Sequence, residues 1–262
     1  MAQTIFPQTA ARVEEWKARD EVLGVLLVGS KSHGYADELS DDDLEVLLTE
    51  EAHALLEPTR CLEFHFEGEG EGHRLIYDAQ YVALADLERK VSSPRDLDHW
   101  PYESARVLYD ADGRASAAAD AAARMDAEFR RARLLHATID AGVAARRGAK
   151  TLRRGMESAG RLLVARGAKA LARILFALEW RWVPLDHWLE PELSTLGDGR
   201  EAARLLREAL ETNRPEPLDA ALKSLEDRLH AEGVPRAENR RELFFELIHP
   251  SRAQERALHG LT

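Results

Sequence analysis

Residues 24–48 read GVLLVGSKSHGYADELSDDDLEVLL, and the arrangement of this stretch sets the expectations for the rest of the chain. An apolar run, Leu23–Val28, has the look of a buried strand and stops at Gly29-Ser30. A loop follows, and a second apolar run, Leu44–Leu48, begins directly after Asp41-Asp42-Asp43. Side chains alternate faces along an extended chain, so Asp41 and Asp43 share one face and Asp42 takes the other. Two carboxylates side by side repel unless a divalent cation lies between them, and hard oxygen donors suit Mg²⁺. Gly29 permits a close approach of backbone to a phosphate, and the amides after Ser30 open a helical turn able to hold one. A phosphate grip and a carboxylate pair on adjacent strands imply phosphoryl or nucleotidyl transfer.

Other uses of the same residues fit less well. A solvated acidic loop explains the charges but not the strands that frame them. A calcium loop lacks its central glycine and distal glutamate. A Walker A loop needs Gly-Lys-Ser/Thr, which is absent after Gly29.

Composition narrows the classes further. The chain has 262 residues, enough for one large or two moderate domains, and carries a net charge of −11. That charge disfavours nucleic acid and suits a cationic small molecule. A single cysteine, Cys61, excludes a disulfide framework. The ten histidines show no zinc spacing. With no apolar run of membrane length and no leader pattern, a cytoplasmic protein is expected.

Outward from the central stretch, Gln8–Arg19 reads as a helix. Cys61–Glu67 and Arg74–Val82 read as strands joined through Gly68, Gly70 and Gly72. Ala83–Val91 is helical in pattern, and Ala105–Tyr109 is a short strand before the Asp112-Gly113 turn. From Arg114 onward Ala, Leu and Arg dominate at helical spacing. Expected helices are Ala115–Ala145, Ala149–Trp182 with breaks at Gly155, Gly160 or Gly167, Gly199–Thr212, Pro217–Glu232 and Glu238–Ile248. The fold class is therefore α+β: a small mixed sheet over residues 1–113, then a helical bundle over 114–262. Trp180, Trp182 and Trp188 are either a stacking platform or part of a helix–helix core. Asp78 is an acid within an apolar, aromatic strand, Leu75–Tyr81, where an unpaired charge is costly. It is the candidate for a third metal carboxylate, with Glu63 on the preceding strand as its rival.

Val28-Gly29-Ser30, the ten-residue spacer and Asp41-Asp42-Asp43 resemble the signature of the nucleotidyltransferase superfamily, with Gly34 as its second glycine. The middle position is usually apolar there, so Asp42 is a departure, and Asp43/Glu45 is the alternative pair. Across most of its length the chain resembles more closely the kanamycin nucleotidyltransferase branch. Beyond the Gly-Ser and the Asp pair this rests on Asp78, Trp100-Pro101, Tyr109-Asp110 and the helix segment Glu157-Ser-Ala-Gly-Arg161.

The resemblance implies Asp41, Asp43 and Asp78 as catalytic ligands of two Mg²⁺ ions. It makes Gly29 and Ser30 the nucleotide loop, Glu157 the general base and Arg161 a nucleotide contact, with Arg in place of the family's Lys. The implied reaction moves AMP from ATP, or a nucleoside monophosphate from another triphosphate, onto a hydroxyl of a small, aminoglycoside-like cation. A homodimer is implied too. The basic residues between Arg146 and Arg173 would serve a triphosphate. The other class is a protein-modifying or toxin–antitoxin member, or a non-catalytic relative that only binds nucleotide.

Overall fold

The computed structural model describes residues 4–68 and 72–259. The chain forms two compact units, Met1–Ser93 with Leu97–Arg124, and Pro94–Asp96 with Met125–Thr262. The fold is α+β.

The first unit is built on one five-stranded sheet. Its strands are β1 (Val22–Val28), β2 (Asp42–Leu48), β3 (Leu62–Glu67), β4 (Arg74–Ala83) and β5 (Arg106–Asp110), in the order β3-β4-β2-β1-β5. β2 and β4 run parallel, and the remaining pairs are antiparallel. Unit 1 also has helices α1 (Pro7–Lys17), α2 (Gly29–His33), α3 (Glu50–Ala54), α4 (Leu84–Lys90) and α5 (Arg114–Ala123).

Both faces of the sheet bury apolar side chains, which explains why β1 and β2 read as near-continuous hydrophobic runs. On one face α1 packs through Val13 and Trp16 against Val25, Val46, Ala79 and Tyr81. The Trp16 indole N–H donates to the Tyr81 hydroxyl at 3.0 Å, so this large ring is buried without an orphaned donor. On the other face α4 and α5 cover Leu26, Leu47 and Val82. The alanine-rich stretch after Arg114 thus forms a helix within the first unit. Its small side chains let it lie close to β1: a Cβ at Gly24 would meet the Ala115 Cβ at 2.5 Å. At the β3–β4 turn Gly68 has φ +85°, while Gly70 lies outside the described residues.

The second unit is helical: α6 (Ala127–Arg153), α7 (Glu157–Leu178), α8 (Leu189–Thr195), α9 (Arg200–Thr212), α10 (Glu216–Ser224), α11 (Glu226–Ala231), α12 (Arg240–Leu247) and α13 (Ala253–His259). Of the three glycines expected as breaks, Gly155 is the one that separates the two long helices, while the expected boundary between residues 145 and 149 is absent. α6 runs through residue 149, and the turn falls at Gly155, with φ +73°. Gly160 and Gly167 are not breaks. A Cβ at Gly160 would strike Leu152 at 2.3 Å, and one at Gly167 would strike Leu218 at 2.7 Å, so both serve close helix packing. The start of α6 is set by Asp126, whose carboxylate accepts from the amides of Glu128 and Phe129. Trp182 is buried against Phe129, whereas Trp180 is half exposed beneath the Arg130 guanidinium. No helix among the described residues is long and apolar enough to cross a membrane.

Candidate metal centre

The parallel pairing of β2 with β4 places Asp43 directly beside Asp78, and the antiparallel pairing of β1 with β2 places Val28 beside Asp43. One register therefore gathers the end of β1, the start of β2 and the middle of β4. Asp41, Asp43 and Asp78 converge there, each offering a carboxylate oxygen within 4.8 Å of the others.

The turn after β1 is tied to the same point. Gly29 has φ +70°, and a Cβ on it would fall 2.0 Å from Asp43 Oδ2. Only glycine lets the backbone pass this close. The Ser30 amide donates to the Asp43 carboxylate, and Gly34 closes the five-residue α2 in the left-handed region at φ +82°. Before β2, Asp37 and Ser40 bond each other and the intervening backbone, and Arg74 donates to the Ser40 carbonyl at 3.2 Å. The chain that delivers Asp41 is therefore held from both sides.

Burial pushes the Asp43 carboxyl up to about 7, helped by the charges of Asp41 and Asp78 and opposed by the Ser30 amide. Burial, and then Asp41, pushes Asp78 up to about 6. Like charges gathered in a half-buried place raise one another's proton affinity. A divalent cation relieves the same repulsion. Three all-oxygen donors of this kind fit a hard metal ion, and the set can hold one.

The structure separates the neighbouring acids by what they touch. Asp42 is fully buried on the opposite strand face. There its carboxylate accepts from Lys31 Nζ at 2.6 Å, the Thr9 hydroxyl at 2.5 Å and the Phe6 amide at 2.9 Å. This pairing explains an acid at a position that is apolar in the resembled signature: Asp42 joins α1 and α2 to the sheet. Lys31 also lies 3.5 Å from the centre of the Phe6 ring. Its own buried pairing accounts for the one lysine of the Gly-Ser turn. Lys31→Met is expected to destabilise the fold by about 3 to 5 kcal/mol, because it strands a buried carboxylate. The combined Lys31→Met/Asp42→Asn change should recover much of that loss. Urea unfolding at pH 7 of Lys31→Met, Asp42→Asn and the double variant measures this, and a double loss equal to the sum of the two single losses would show that the pair is not coupled.

Glu45 shares the strand face of Asp43, but the Tyr102 hydroxyl lies 2.8 Å from both its oxygens and Lys90 is 3.4 Å away. Glu63 sits on the α1 side of the sheet, held by two contacts from Arg12 and by the hydroxyls of Tyr77 and Tyr81. These contacts keep its carboxyl below the usual range despite burial. Glu63 is thus a structural ion pair on the opposite face from Asp78. Its partners are far apart in sequence, and no local motif signals them.

Glu157 and Arg161 belong to the second unit. Glu157 is the first residue of α7, and both side chains line a cleft of about 270 Å³ together with Arg153, Asn213, Arg214 and Glu216. Three guanidinium groups gathered around it make this cleft suited to an anionic group.

In class, the first unit is an α+β domain carrying a cluster of three carboxylates able to hold a metal ion. No family model matches the chain, and no curated protein does. Among solved structures it is similar to a nucleotidyltransferase-like protein from Exiguobacterium sibiricum 255-15. The two share 15% identity at a TM-score of 0.46, over 97% of this chain and 89% of that one. At that distance the likeness assigns no activity, and the chain's own residues must define the chemistry.

Proposed function

We propose that this protein is a Mg²⁺-dependent nucleotidyltransferase that moves a nucleoside monophosphate, AMP from ATP, onto a hydroxyl of a small acceptor. The observation that supports it most is the convergence of Asp41, Asp43 and Asp78 beside the Gly29–Ser30 turn. Bound divalent metal would supply charge neutralisation at the transferred phosphorus and acidify the attacking hydroxyl. The carboxylates of Asp41 and Asp43 would hold it on the nucleotide side, and Asp78 on the acceptor side. Gly29 offers backbone unobstructed by a side chain, and the turn that follows Ser30 presents amides to phosphate oxygens. Rigid placement of these groups is the main source of rate in such a reaction.

By resemblance, we propose Glu157 as the general base and Arg161 as a nucleotide contact; within the helical unit both line one cleft with Arg153 and Arg214. The net charge of −11 favours a cationic or neutral acceptor, an aminoglycoside-like molecule among them, over a nucleic acid. A homodimer accompanies this reading by resemblance.

Pyrophosphate release from ATP, GTP, CTP and UTP with Mg²⁺, measured against a panel of hydroxylated amines and alcohols, tests it. Acceptor-dependent release is expected. Silence across the panel with nucleotide still bound would turn the reading to a protein acceptor or a non-catalytic role. Glu157→Gln is expected to lower turnover by about 10²- to 10⁴-fold, the usual worth of a general base. A loss of only a few-fold at every pH would remove Glu157 from that role.

A further inference from the structure

α13 is anchored to the helical unit through an imidazole. His259 is the one buried side chain of this helix. Its ring is stacked on that of His136, 5.2 Å between centres, and lies 4.8 Å from the Phe129 ring. Both partners belong to α6, where His136 is fully buried. A second tie is the Glu255 carboxylate, which lies 2.8 Å from His136 Nε2. Arg173 of α7 donates to the His259 carbonyl at 3.3 Å, and Arg256 reaches only the nearby carbonyls of Leu247 and His249.

The surroundings of the two rings are cationic. Facing His259 are Arg133 and His136 from α6, Arg173 from α7 and, on its own helix, Glu255. Arg133 is itself buried and already paired with Asp96. Arg252 and Arg256 add positive charge near His136. Nδ1 of each ring is buried and meets no hydrogen-bonding group among the described residues. A proton placed there has no acceptor, and its charge meets guanidinium groups in a place shielded from water. Burial, then Arg133 and His136, accordingly push His259 down to about 3. Burial lowers His136 too, against the pull of Glu255.

We infer that α13 is a pH-released latch: it docks on α6 while His136 and His259 are neutral and lets go when they take up protons, uncovering the face of α6 that carries Phe129 and His136. The latch lies wholly within the helical unit and is independent of the transferase reading. A released imidazole titrates near 6.5, whereas the docked one binds its proton far more weakly. Docking is therefore at full strength above about pH 6.5 and weakens by about tenfold for each pH unit below it.

Hydrogen exchange on the full chain tests this, read as protection factors so that the intrinsic pH dependence of exchange is removed. Between pH 7.5 and 5.5 the last turn of α13 should lose about tenfold in protection while α7 keeps its own. His259→Phe keeps a ring against Phe129 and His136 but cannot take up a proton, so its protection should change by no more than about two- to three-fold over that range. An α13 unprotected in wild type at pH 7.5, unchanged protection at pH 5.5, or the same tenfold fall in His259→Phe overturns the inference. Wild type also gives a reading free of any substitution. The Cε1 proton resonance of His259 should keep its neutral position for as long as α13 is docked. A ring that titrates near 6.5 while α13 stays protected overturns the latch as well.

Discussion

Asp43→Asn is expected to abolish the proposed nucleotidyl transfer while making the metal-free protein more stable at neutral pH. The first effect follows from the removal of a charged oxygen donor shared between the strands. Several kcal/mol of charge stabilisation are lost, a fall in turnover of about a thousand-fold or more. The second follows from the proton balance. Free carboxylates of this type titrate near 3.8, whereas burial and neighbouring acids push Asp43 up to about 7 and Asp78 to about 6. Between those limits the folded state binds more protons than the unfolded state. Stability of the metal-free wild type therefore falls as pH rises from about 4 to about 7, and levels off above.

Asparagine has no proton to lose and escapes the larger part of this penalty. At pH 7.5 the variant should exceed wild type by on the order of 1 to 3 kcal/mol in the presence of a chelator. The gap should close toward pH 4. Added Mg²⁺ should raise the melting temperature of wild type, more at pH 8 than at pH 5.5, because the ion competes with protons for the same oxygens. The variant should lack most of this response. An unchanged Mg²⁺ response in Asp43→Asn, read by thermal denaturation across that pH range, would show that the centre is not a metal site.

Gly29→Ala is expected to impair the Mg²⁺ response as much as loss of the carboxylate itself, though the methyl group carries no chemistry. An L-residue at φ +70° costs about 1 to 2 kcal/mol of backbone strain. The new Cβ, 2.0 Å from Asp43 Oδ2 and 2.5 Å from its Cγ, then forces the carboxylate or the turn to move. Both the melting temperature and the Mg²⁺ response should drop. Gly34→Ala provides the contrast. Its φ is +82°, but nothing lies within 4 Å of the added carbon. That variant should pay the strain alone, about 1 to 2 kcal/mol, and keep its Mg²⁺ response. Equal metal responses in the two variants would show that contact with Asp43 is not what requires glycine at position 29.

Much of the local structure is legible in the sequence because it rests on short-range periodicity. The apolar runs around Leu23–Val28 and Leu44–Leu48 locate β1 and β2 to within two residues. Alternation along β2 separates Asp41 and Asp43 from Asp42 with no tertiary knowledge. The change to helical spacing after residue 114 identifies a helical second half. What it does not reveal is that the first helix of that half packs against the sheet, since the contacts of Ala115, Ala118, Ala119 and Ala122, and the close approach of Ala115 to Gly24, are made with residues distant in sequence. The boundary between α6 and α7 is likewise obscure in sequence. Glycines that permit tight packing, such as Gly167, look the same as a glycine that ends a helix, such as Gly155.

By itself, then, the sequence determines the α+β class, the strand–Gly-Ser–strand unit and the pair of acids that shares one face. These are properties of residues a few positions apart. Only the tertiary structure decides between Asp78 and Glu63, assigns Asp42 to Lys31, and gives Glu45 to Tyr102 and Lys90. Each of these depends on which strand lies beside which and in what register, and on helices that arrive from distant parts of the chain. A carboxylate's role is set by its nearest charge, and for all of these acids that charge lies at least eleven residues away along the sequence.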